Sequence, residues 1–331
     1  MVQATEVGHS SPAVHSQTRS EICEPEHRCN TTCSATNTQD IMREKLKYAL
    51  YRVLFTTLAL LPFRVLYCIS DGVRMILQHV MKYRRGVIRM NLRNSFPEKT
   101  DEELREIEQD FYKQFADNIV ETAKLLHISD KQVDRRIKVE CGEIVDRLIE
   151  EGHPVVMYLG HYANWEYVPA VVRHFSKPRL CAQVYKPLHD KAFDRLMLKV
   201  RSRFNPVSLP QERVFRTMVR WHRDNVPFII GFVADHRSNS SVSHHATTFL
   251  GQHTPFNPGG EEIGKHVNAA YLYLDMEKTG RGHYRMTLKP IKPRSLEGDS
   301  PYTRRYYEML EETIRRRPGL WLWSHRRWLY Q

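Results

Sequence analysis

The sequence of 331 residues lacks the short signatures of the common cofactor and hydrolase families. It contains no GxGxxG, Walker, HExxH or GxSxG pattern, so dinucleotide, nucleotide, zinc-peptidase and serine-hydrolase chemistry have no support in it. Fifteen glycines and 17 prolines are too few for a collagen-like or low-complexity chain, and no heptad repeat persists. We therefore expect a globular protein that needs no cofactor and no metal.

Cysteine is also sparse, at six residues. Cys68, Cys141 and Cys181 stand singly in apolar surroundings, where a free thiol usually serves as a small core residue. A reducing compartment is therefore expected. The other three lie near the amino terminus around His27, and a zinc site there is an open alternative, although the spacing matches no common zinc module. These three are Cys23, Cys29 and Cys33.

Acidic residues are outnumbered, with 38 Asp and Glu against 50 Lys and Arg and a formal charge of +12. Hydrophobic residues make up 41% of the chain, which excludes wholesale disorder. A mean hydropathy of −0.54 excludes a polytopic membrane protein. The positive charge favours a partner that carries phosphates, an anionic lipid surface or an acidic carrier protein.

The amino-terminal part divides into two segments by composition. Residues 1–41 are polar and without apolar periodicity, so we expect a disordered tail, and Met42 resembles a natural start. Residues 42–70 contain the apolar run Tyr48 to Ile69, interrupted by Arg52 and Arg64. This run predicts a membrane-anchor helix, either spanning or interfacial, with a buried amphipathic core helix as the alternative.

Residues 71–331 alternate helical and strand patterns. Thr100 and Glu103 form a capping box that opens a long amphipathic helix to about Leu126. The pattern predicts a single α/β domain with a central mixed sheet flanked by helices. The further predicted elements are strands at 155–159, 180–185 and 226–234, a short helix at 144–149, a hairpin of 271–276 with 284–288 and a last helix at 302–317.

The motif GHYANWE at residues 160–166 follows the first of these strands directly. His161 is thereby expected at a strand end, where its side chain can face a cleft. If a turn follows His161, Glu166 could hold the imidazole N–H and fix its tautomer, as a general base requires. A histidine packed and satisfied in the core is the alternative.

Five stretches together resemble a known family. HYANWE is similar to the His-x4-Asp/Glu motif of glycerolipid acyltransferases, and its HxxNWE form resembles the lipid A late acyltransferases, the lauroyl and myristoyl transferases of Gram-negative bacteria. The other four agree in order and spacing across roughly residues 48–331. They are MNLRNSFP at 90–97, YKP at 185–187 with RSR at 201–203, ADH at 234–236 and WLWSHRRW at 321–328.

The resemblance implies an O-acyltransferase that moves a fatty acyl chain from an acyl-acyl carrier protein to a hydroxyl of a lipid A precursor. His161 would be the general base, Glu166 would orient it, Arg201 would stabilise the oxyanion or position the substrate, and Asp235 would support the site. It further implies a location at the cytoplasmic face of the inner membrane, with a phosphorylated glycolipid acceptor. Substrate-binding residues would be Asn164, Tyr185, Lys186 and Arg203.

The sequence departs from the family pattern at several positions. Tyr162 and Ala163 stand where Phe and Gly are more usual, Lys186 replaces an arginine, and Val200 replaces a glycine. A lysine cannot make the bidentate contact of an arginine. These departures bear on acyl-chain length and acceptor choice more than on the reaction.

Two other functions remain open at this point. The acceptor could be a lysophospholipid or another hydroxylated lipid, with acyl-CoA as the donor. The arginines interleaved with Trp and Tyr after residue 303 could instead mark a basic peripheral membrane or nucleic-acid-binding protein without catalysis. The family resemblance favours the enzyme, with no nucleic-acid partner.

Overall fold

A computed structural model of the chain describes residues 32–237 and 245–328, and the side chains from Gln39 onward. The chain divides into a short unit, Met1–Met42, and a compact unit, Arg43–Gln331. Cys23, His27, Cys29 and Cys33, the residues of the alternative zinc site, lie outside the described side chains.

The core of the fold is a mixed β-sheet. Its strand order is β1-β9-β8-β2-β5-β3-β4, with β9 antiparallel to β8 and the other neighbours parallel. A small antiparallel pair, β6 and β7, lies outside it. The strands are β1 Ile137–Glu140, β2 Val155–Leu159, β3 Leu180–Tyr185, β4 Val207–Pro210, β5 Phe228–Val233, β6 Ala246–Phe249, β7 Gln252–Pro255, β8 Ala270–Gly280 and β9 His283–Pro290.

Helices cover both faces of this sheet. The α-helices are α1 Thr32–Leu60, α2 Phe63–Met75, α3 Arg85–Ser95, α4 Asp101–Leu125, α5 Asp130–Arg136, α6 Glu143–Glu150, α7 Lys191–Arg201, α8 Val214–Arg223, α9 Gly259–His266 and α10 Pro301–Arg316. Shorter helical turns include the 3-10 segments Trp165–His174, Gln211–Arg213 and Pro318–Leu320 and a π-helical turn at Ile76–Val80. The predicted α/β architecture with a mixed central sheet is confirmed.

The two faces of the sheet carry different helices. On one face, Phe228 of β5 packs against Trp221 of α8, and the Tyr273 hydroxyl of β8 donates to Thr313 of α10. On the other face, Tyr284 of β9 donates from its hydroxyl to Glu121 of α4. The sheet is therefore covered on both sides, by α8 and α10 on one side and by α4 on the other.

The long central helix forms where the capping box predicts it. The Thr100 hydroxyl accepts from the backbone N–H of Glu103, and the Glu103 carboxylate accepts from the N–H of Thr100. These two bonds satisfy donors that a helix start would otherwise leave free. The helix α4 then packs on the face of the sheet opposite α8 and α10. Its buried side carries polar as well as apolar side chains.

The prediction of one continuous helix over residues 42–70 is wrong. The segment forms two helices, α1 and α2, that meet at Leu61 and Pro62. Proline disfavours a helical conformation in the residue before it, and the Lys124 ammonium group donates to the carbonyls of Ala59 and Leu61 at the end of α1. Because α1 begins at Thr32, it also extends into the segment predicted to be disordered. Among the described residues, no helix is long and apolar enough to cross a membrane.

Candidate active site

His161 lies where the sequence places it, two residues beyond the end of β2. Gly160 permits this position because a Cβ there would lie 2.7 Å from Leu310 Cδ1 and 3.4 Å from Asp235 Oδ2. The neighbouring strand β5 ends at Val233, so Asp235 emerges at the same edge of the sheet. Carboxyl ends of parallel strands are where α/β folds place their binding sites.

Asp235 binds His161 at two points. Its Oδ1 lies 2.7 Å from the imidazole Nδ1, and its Oδ2 accepts from the backbone N–H of His161 at 2.9 Å. A third bond comes from Trp321, whose indole N–H donates to Oδ2 at 2.7 Å. With Asp235 ionised, Nδ1 must carry the proton, which leaves a lone pair on Nε2.

The electrostatics of Asp235 keep it ionised. Burial alone would raise the pKa of its carboxyl, but the charge on His161, the hydrogen bonds from His161 and the charge on His236 outweigh that effect. The pKa of Asp235 is therefore held well below its usual value. The carboxylate remains a fixed negative charge beside the imidazole across the physiological pH range.

Two further imidazole rings stack beside this pair. His236 lies face to face with His161, with ring centroids 3.7 Å apart and planes 7° apart. His325 stacks on the far face of His236 at 4.2 Å, and Trp165 meets His161 edge-on at 5.0 Å. Burial, followed by the charge of His161, lowers the pKa of His236 to about 3, and burial lowers that of His325 to about 4. His236 and His325 are therefore neutral at physiological pH.

The sequence led us to expect a contact between Glu166 and His161, but the structure does not show one. The Glu166 carboxylate instead accepts a bidentate pair from Arg201, with Nε to Oε2 at 2.8 Å and Nη2 to Oε1 at 2.6 Å. The 3-10 helix that starts at Trp165 takes Glu166 toward the end of α7, where Arg201 stands. Burial would lower the pKa of Arg201, yet the bonds and charge of Glu166 raise it.

The turn between His161 and Glu166 is held by side chains of α4. Ala163 has a left-handed φ of 51°, and its carbonyl accepts from Asn118 at 2.7 Å. Asn164, predicted to bind substrate, is fully buried and donates from Nδ2 to Glu121 at 2.8 Å. Its Oδ1 caps the following helix through the N–H of Glu166. The structure thus gives Asn164 a structural position within the turn rather than one on an open surface.

The remaining predicted binding residues separate into two groups. Tyr185 ends β3 and Lys186 follows it in an exposed position, both at the edge of the sheet that carries His161. Arg203 instead donates to Asp130 at 2.6 Å and to the carbonyl of Ile128 at 3.1 Å. Its guanidinium connects two loops of the fold.

The carboxy-terminal segment completes the site. The backbone of Tyr162 pairs with that of Trp321, and the N–H of Leu322 donates to the carbonyl of His161. Trp321 and Trp323 are almost fully buried. The aromatic ending of the chain, which the alternative reading treated as a basic binding patch, therefore forms a wall of the site.

A small depression with a mainly apolar lining lies beside these residues. Trp165 and Trp321, which contact His161 and Asp235, form one side of it, and Phe111 and Phe115 of α4 form another. An apolar surface therefore borders the polar centre.

The sequence also matches known proteins over most of its length. The model of the bacterial lipid A biosynthesis acyltransferase family matches residues 37–330. The chain belongs to this family. It is 21% identical over 277 residues, 81% of this chain and 86% of the relative, to the lipid A biosynthesis palmitoleoyltransferase of Escherichia coli (strain K12). It is 20% identical over 269 residues, with the same coverage, to the lipid A biosynthesis lauroyltransferase of that organism. A lipid A biosynthesis acyltransferase of Shigella flexneri is similarly 21% identical.

Family membership makes the chain an acyltransferase, as the sequence motifs predicted. Sequence reasoning nevertheless missed several residues of the site. Tyr306 and Tyr307 of α10 donate to the carbonyls of Leu159 and Ala234, which fixes the two strand ends that precede His161 and Asp235. Only the three-dimensional fold brings α10 to these strand ends, so no local pattern identified the tyrosines.

Proposed function

We propose that this acyltransferase moves a fatty acyl chain from an acyl-acyl carrier protein to a hydroxyl of a lipid A precursor, with His161 as general base. The observation that carries the proposal is the double contact of Asp235 with the Nδ1 and backbone N–H of His161. It leaves Nε2 as the basic atom of a histidine that is only 14% exposed at the end of a strand. Family membership supplies the acyl-transfer reaction class.

The proposed transfer proceeds directly between the two substrates. Nε2 of His161 takes the proton of the acceptor hydroxyl as its oxygen attacks the thioester carbonyl. The tetrahedral intermediate then collapses, so that the new C–O bond remains and the C–S bond breaks. The imidazolium returns its proton to the departing thiolate, and Asp235 stabilises that imidazolium while it exists. No covalent acyl-enzyme forms in this scheme.

His236 supports the ring of the base. Because its neutral imidazole covers one face of His161, it restricts rotation of that ring while Asp235 fixes its edge. A neutral aromatic face also tolerates the transient imidazolium better than a charged neighbour would. His236 therefore acts as a positioning residue in the proposed mechanism.

Arg201 is the proposed source of positive charge for the oxyanion. Its Nε and Nη2 are engaged by Glu166, and its side chain remains 21% exposed. The bidentate pair fixes the guanidinium plane, so a remaining N–H could face a substrate oxygen without rearrangement. Glu166 thus serves the reaction through Arg201 rather than through the imidazole.

Exposed side chains suggest where the acceptor and the membrane would contact the protein. Tyr185 and the exposed Lys186 stand at the rim of the site, where a lysine suits a phosphate of a glycolipid acceptor. Several apolar side chains of α1 and α2 are largely exposed, and we propose that this apolar face lies in the interface of the inner membrane at its cytoplasmic side. The most exposed are Leu46 (72%), Leu50 (65%), Val53 (64%) and Leu60 (71%).

A purified-component assay tests the proposed reaction. The protein is incubated with acyl-acyl carrier protein and a phosphorylated lipid A precursor, and the masses of the products are measured by mass spectrometry. We expect the acceptor to gain one acyl group with the wild type and to gain none with His161→Ala. Transfer to a lysophospholipid but not to the lipid A precursor would show that the proposed acceptor is wrong. Equal transfer by His161→Ala would show that the proposed base is wrong.

A further inference from the structure

The carboxy-terminal arginines do not provide the free positive surface that the composition predicts. Most of them are paired within the fold, and Arg327 is 1% exposed. The ion pairs are Arg305 with Glu308, Arg315 with Glu311, Arg316 with Asp275 and Arg317 with Asp110. The surplus of positive charge must therefore act from other surfaces.

One such surface is the outer side of α8. Val214, Met218 and Trp221 are its buried residues, while the helix contains no acidic residue. On the exposed side, Arg216 and Arg220 run beside Phe215 and Val219, which are 47% and 37% exposed. We refer to these four residues as the α8 face. Within residues 32–237 and 245–328, neither arginine of this face has an ion pair.

The α8 face begins close to the active site. Strand β4 lies parallel to β3, with Pro210 opposite Tyr185, and the turn Gln211–Arg213 leads from there into α8. The charges of Glu212 and Arg213, both in that turn, act on the Tyr185 hydroxyl. The start of α8 therefore lies at the same edge of the sheet as His161 and Asp235.

The α8 face is also separate from the apolar face proposed for the membrane. Helix α8 packs on the Phe228 side of the sheet, whereas α2 packs against α4 on the opposite side. Helix α1 contacts α7 through Tyr51 and Phe193. A bilayer that receives the exposed apolar side chains of α1 and α2 would therefore leave α8 open to a soluble partner.

We propose that the α8 face docks the protein that delivers the acyl thioester, a small acidic carrier that presents an acidic amphipathic helix. This inference rests on the proposed function and names the surface through which its donor arrives. The two arginines would steer and hold acidic side chains of the carrier, and Phe215 and Val219 would pack against its apolar residues. Docking beside Tyr185 would direct the flexible thioester arm toward His161.

A charge reversal separates carrier docking from catalysis. Arg216→Glu combined with Arg220→Glu is compared with the wild type using two donors, the acyl carrier protein and the same acyl chain on pantetheine. The control is Arg147→Glu, an exposed arginine without an ion pair in the described chain, on the helix α6 that precedes the start of β2. Binding of each protein to vesicles that contain anionic phospholipid is measured in parallel.

We expect the KM for the carrier to rise by at least about tenfold in the double variant, because two attractive charges become repulsive. The rate with the pantetheine thioester should change less than about twofold, and the control should match the wild type with both donors. Raised salt should increase the KM for the carrier more in the wild type than in the double variant, because it screens the attractive charges.

Three results would overturn the docking proposal. An unchanged KM for the carrier would exclude the α8 face as its contact, and equal loss with both donors would locate the defect in folding or catalysis. Loss of vesicle binding with an unchanged carrier KM would assign the face to lipid. Transfer from neither donor by the wild type would instead contradict the proposed function itself.

Discussion

At the scale of single residues, the site depends on a carboxylate that lies far from the histidine in sequence. Asp235 is 74 positions from His161 and nevertheless binds both its ring and its backbone. The sequence motif suggested Glu166 because it is the nearest carboxylate. Proximity along the chain was a poor guide, since the order of strands decides which side chains share an edge, and that order is set by the fold.

The identity of the group that fixes the tautomer leads to a prediction for Asp235→Asn. An asparagine can still accept from the His161 and Trp321 N–H groups, so the fold should persist. Its neutral amide lacks the negative charge that keeps the proton on Nδ1 and stabilises the imidazolium. We therefore expect kcat to fall by about 10²–10⁴-fold. Steady-state transfer assays with circular dichroism as the folding check test this. The exposed Asp224→Asn serves as the control, and wild-type activity in Asp235→Asn would remove Asp235 from the mechanism.

The buried histidines predict sensitivity to acid. The pKa values of His236 and His325 fall from 6.5 to about 3 and about 4 on folding, chiefly through burial. Between these values and 6.5 the unfolded chain binds more protons, so stability decreases as the pH falls below 6.5. The expected loss is about 1 kcal/mol per histidine for each pH unit in that window.

Melting temperatures between pH 4.5 and 7.5 check this expectation. His236→Gln and His325→Gln should each flatten the decline below pH 6.5, since each removes one group that titrates only in the unfolded chain. The exposed His222→Gln on α8 should leave the decline unchanged. An equally steep decline in all variants would mean that other groups cause the acid sensitivity.

At the scale of elements, α4 connects the turn at residues 161–166 to the β8–β9 hairpin. Its Asp117, fully buried, accepts from Arg281 Nη2 at 2.7 Å, and the same guanidinium donates to Asp71 of α2 at 2.8 Å. Its Glu121 accepts from both Asn164 and Tyr284. Polar residues on the buried side of an amphipathic helix thus hold the loop that carries His161.

The ion pair at the hairpin predicts a stability difference. Arg281→Ala would leave Asp117 buried with less compensation, and we expect it to lower the free energy of unfolding by about 3 kcal/mol. Arg285→Ala is the matched control on β9, because its pairs with Glu277 and Glu140 are half exposed and worth less than about 1 kcal/mol. Urea unfolding measures both, and similar losses for the two variants would contradict a special role for Arg281.

The helices and strands of the domain were largely readable from the sequence. Strands β2 and β3 have the predicted bounds, and the hairpin and the last helix agree within a few residues, because buried strands and capped helices leave strong local patterns. The break at Pro62 was not predicted. The carbonyls of Ala59 and Leu61 at this break accept hydrogen bonds from Lys124, which only the fold brings near.

At the scale of the whole molecule, the α8 face and the exposed apolar side chains of α1 and α2 lie on separate sides of the sheet. The α8 face is cationic, while α1 and α2 expose apolar side chains. The overall charge and the apolar run were evident from composition, but their distribution was not. Ion pairing neutralises most carboxy-terminal arginines, and the break at Leu61 and Pro62 divides the apolar run between two helices.

The exposed apolar face predicts a loss of membrane association on substitution. Leu50→Asp combined with Val53→Asp should weaken binding to phospholipid vesicles by about tenfold or more, because two apolar side chains would no longer enter the interface. Leu296→Asp is the control, since Leu296 is 71% exposed but lies between β9 and α10. Vesicle sedimentation gives the measurement, and unchanged binding would show that α1 does not contact the bilayer.

The most direct test of the central claim is mass spectrometry of lipid A from cells in which this gene is deleted and then restored. We predict that deletion removes one secondary acyl chain, that the wild-type gene returns it, and that His161→Ala and Asp235→Asn do not. The mass difference would also give the length of the chain. Lipid A that is unchanged on deletion, or that is fully restored by His161→Ala, would contradict the proposed reaction or its base.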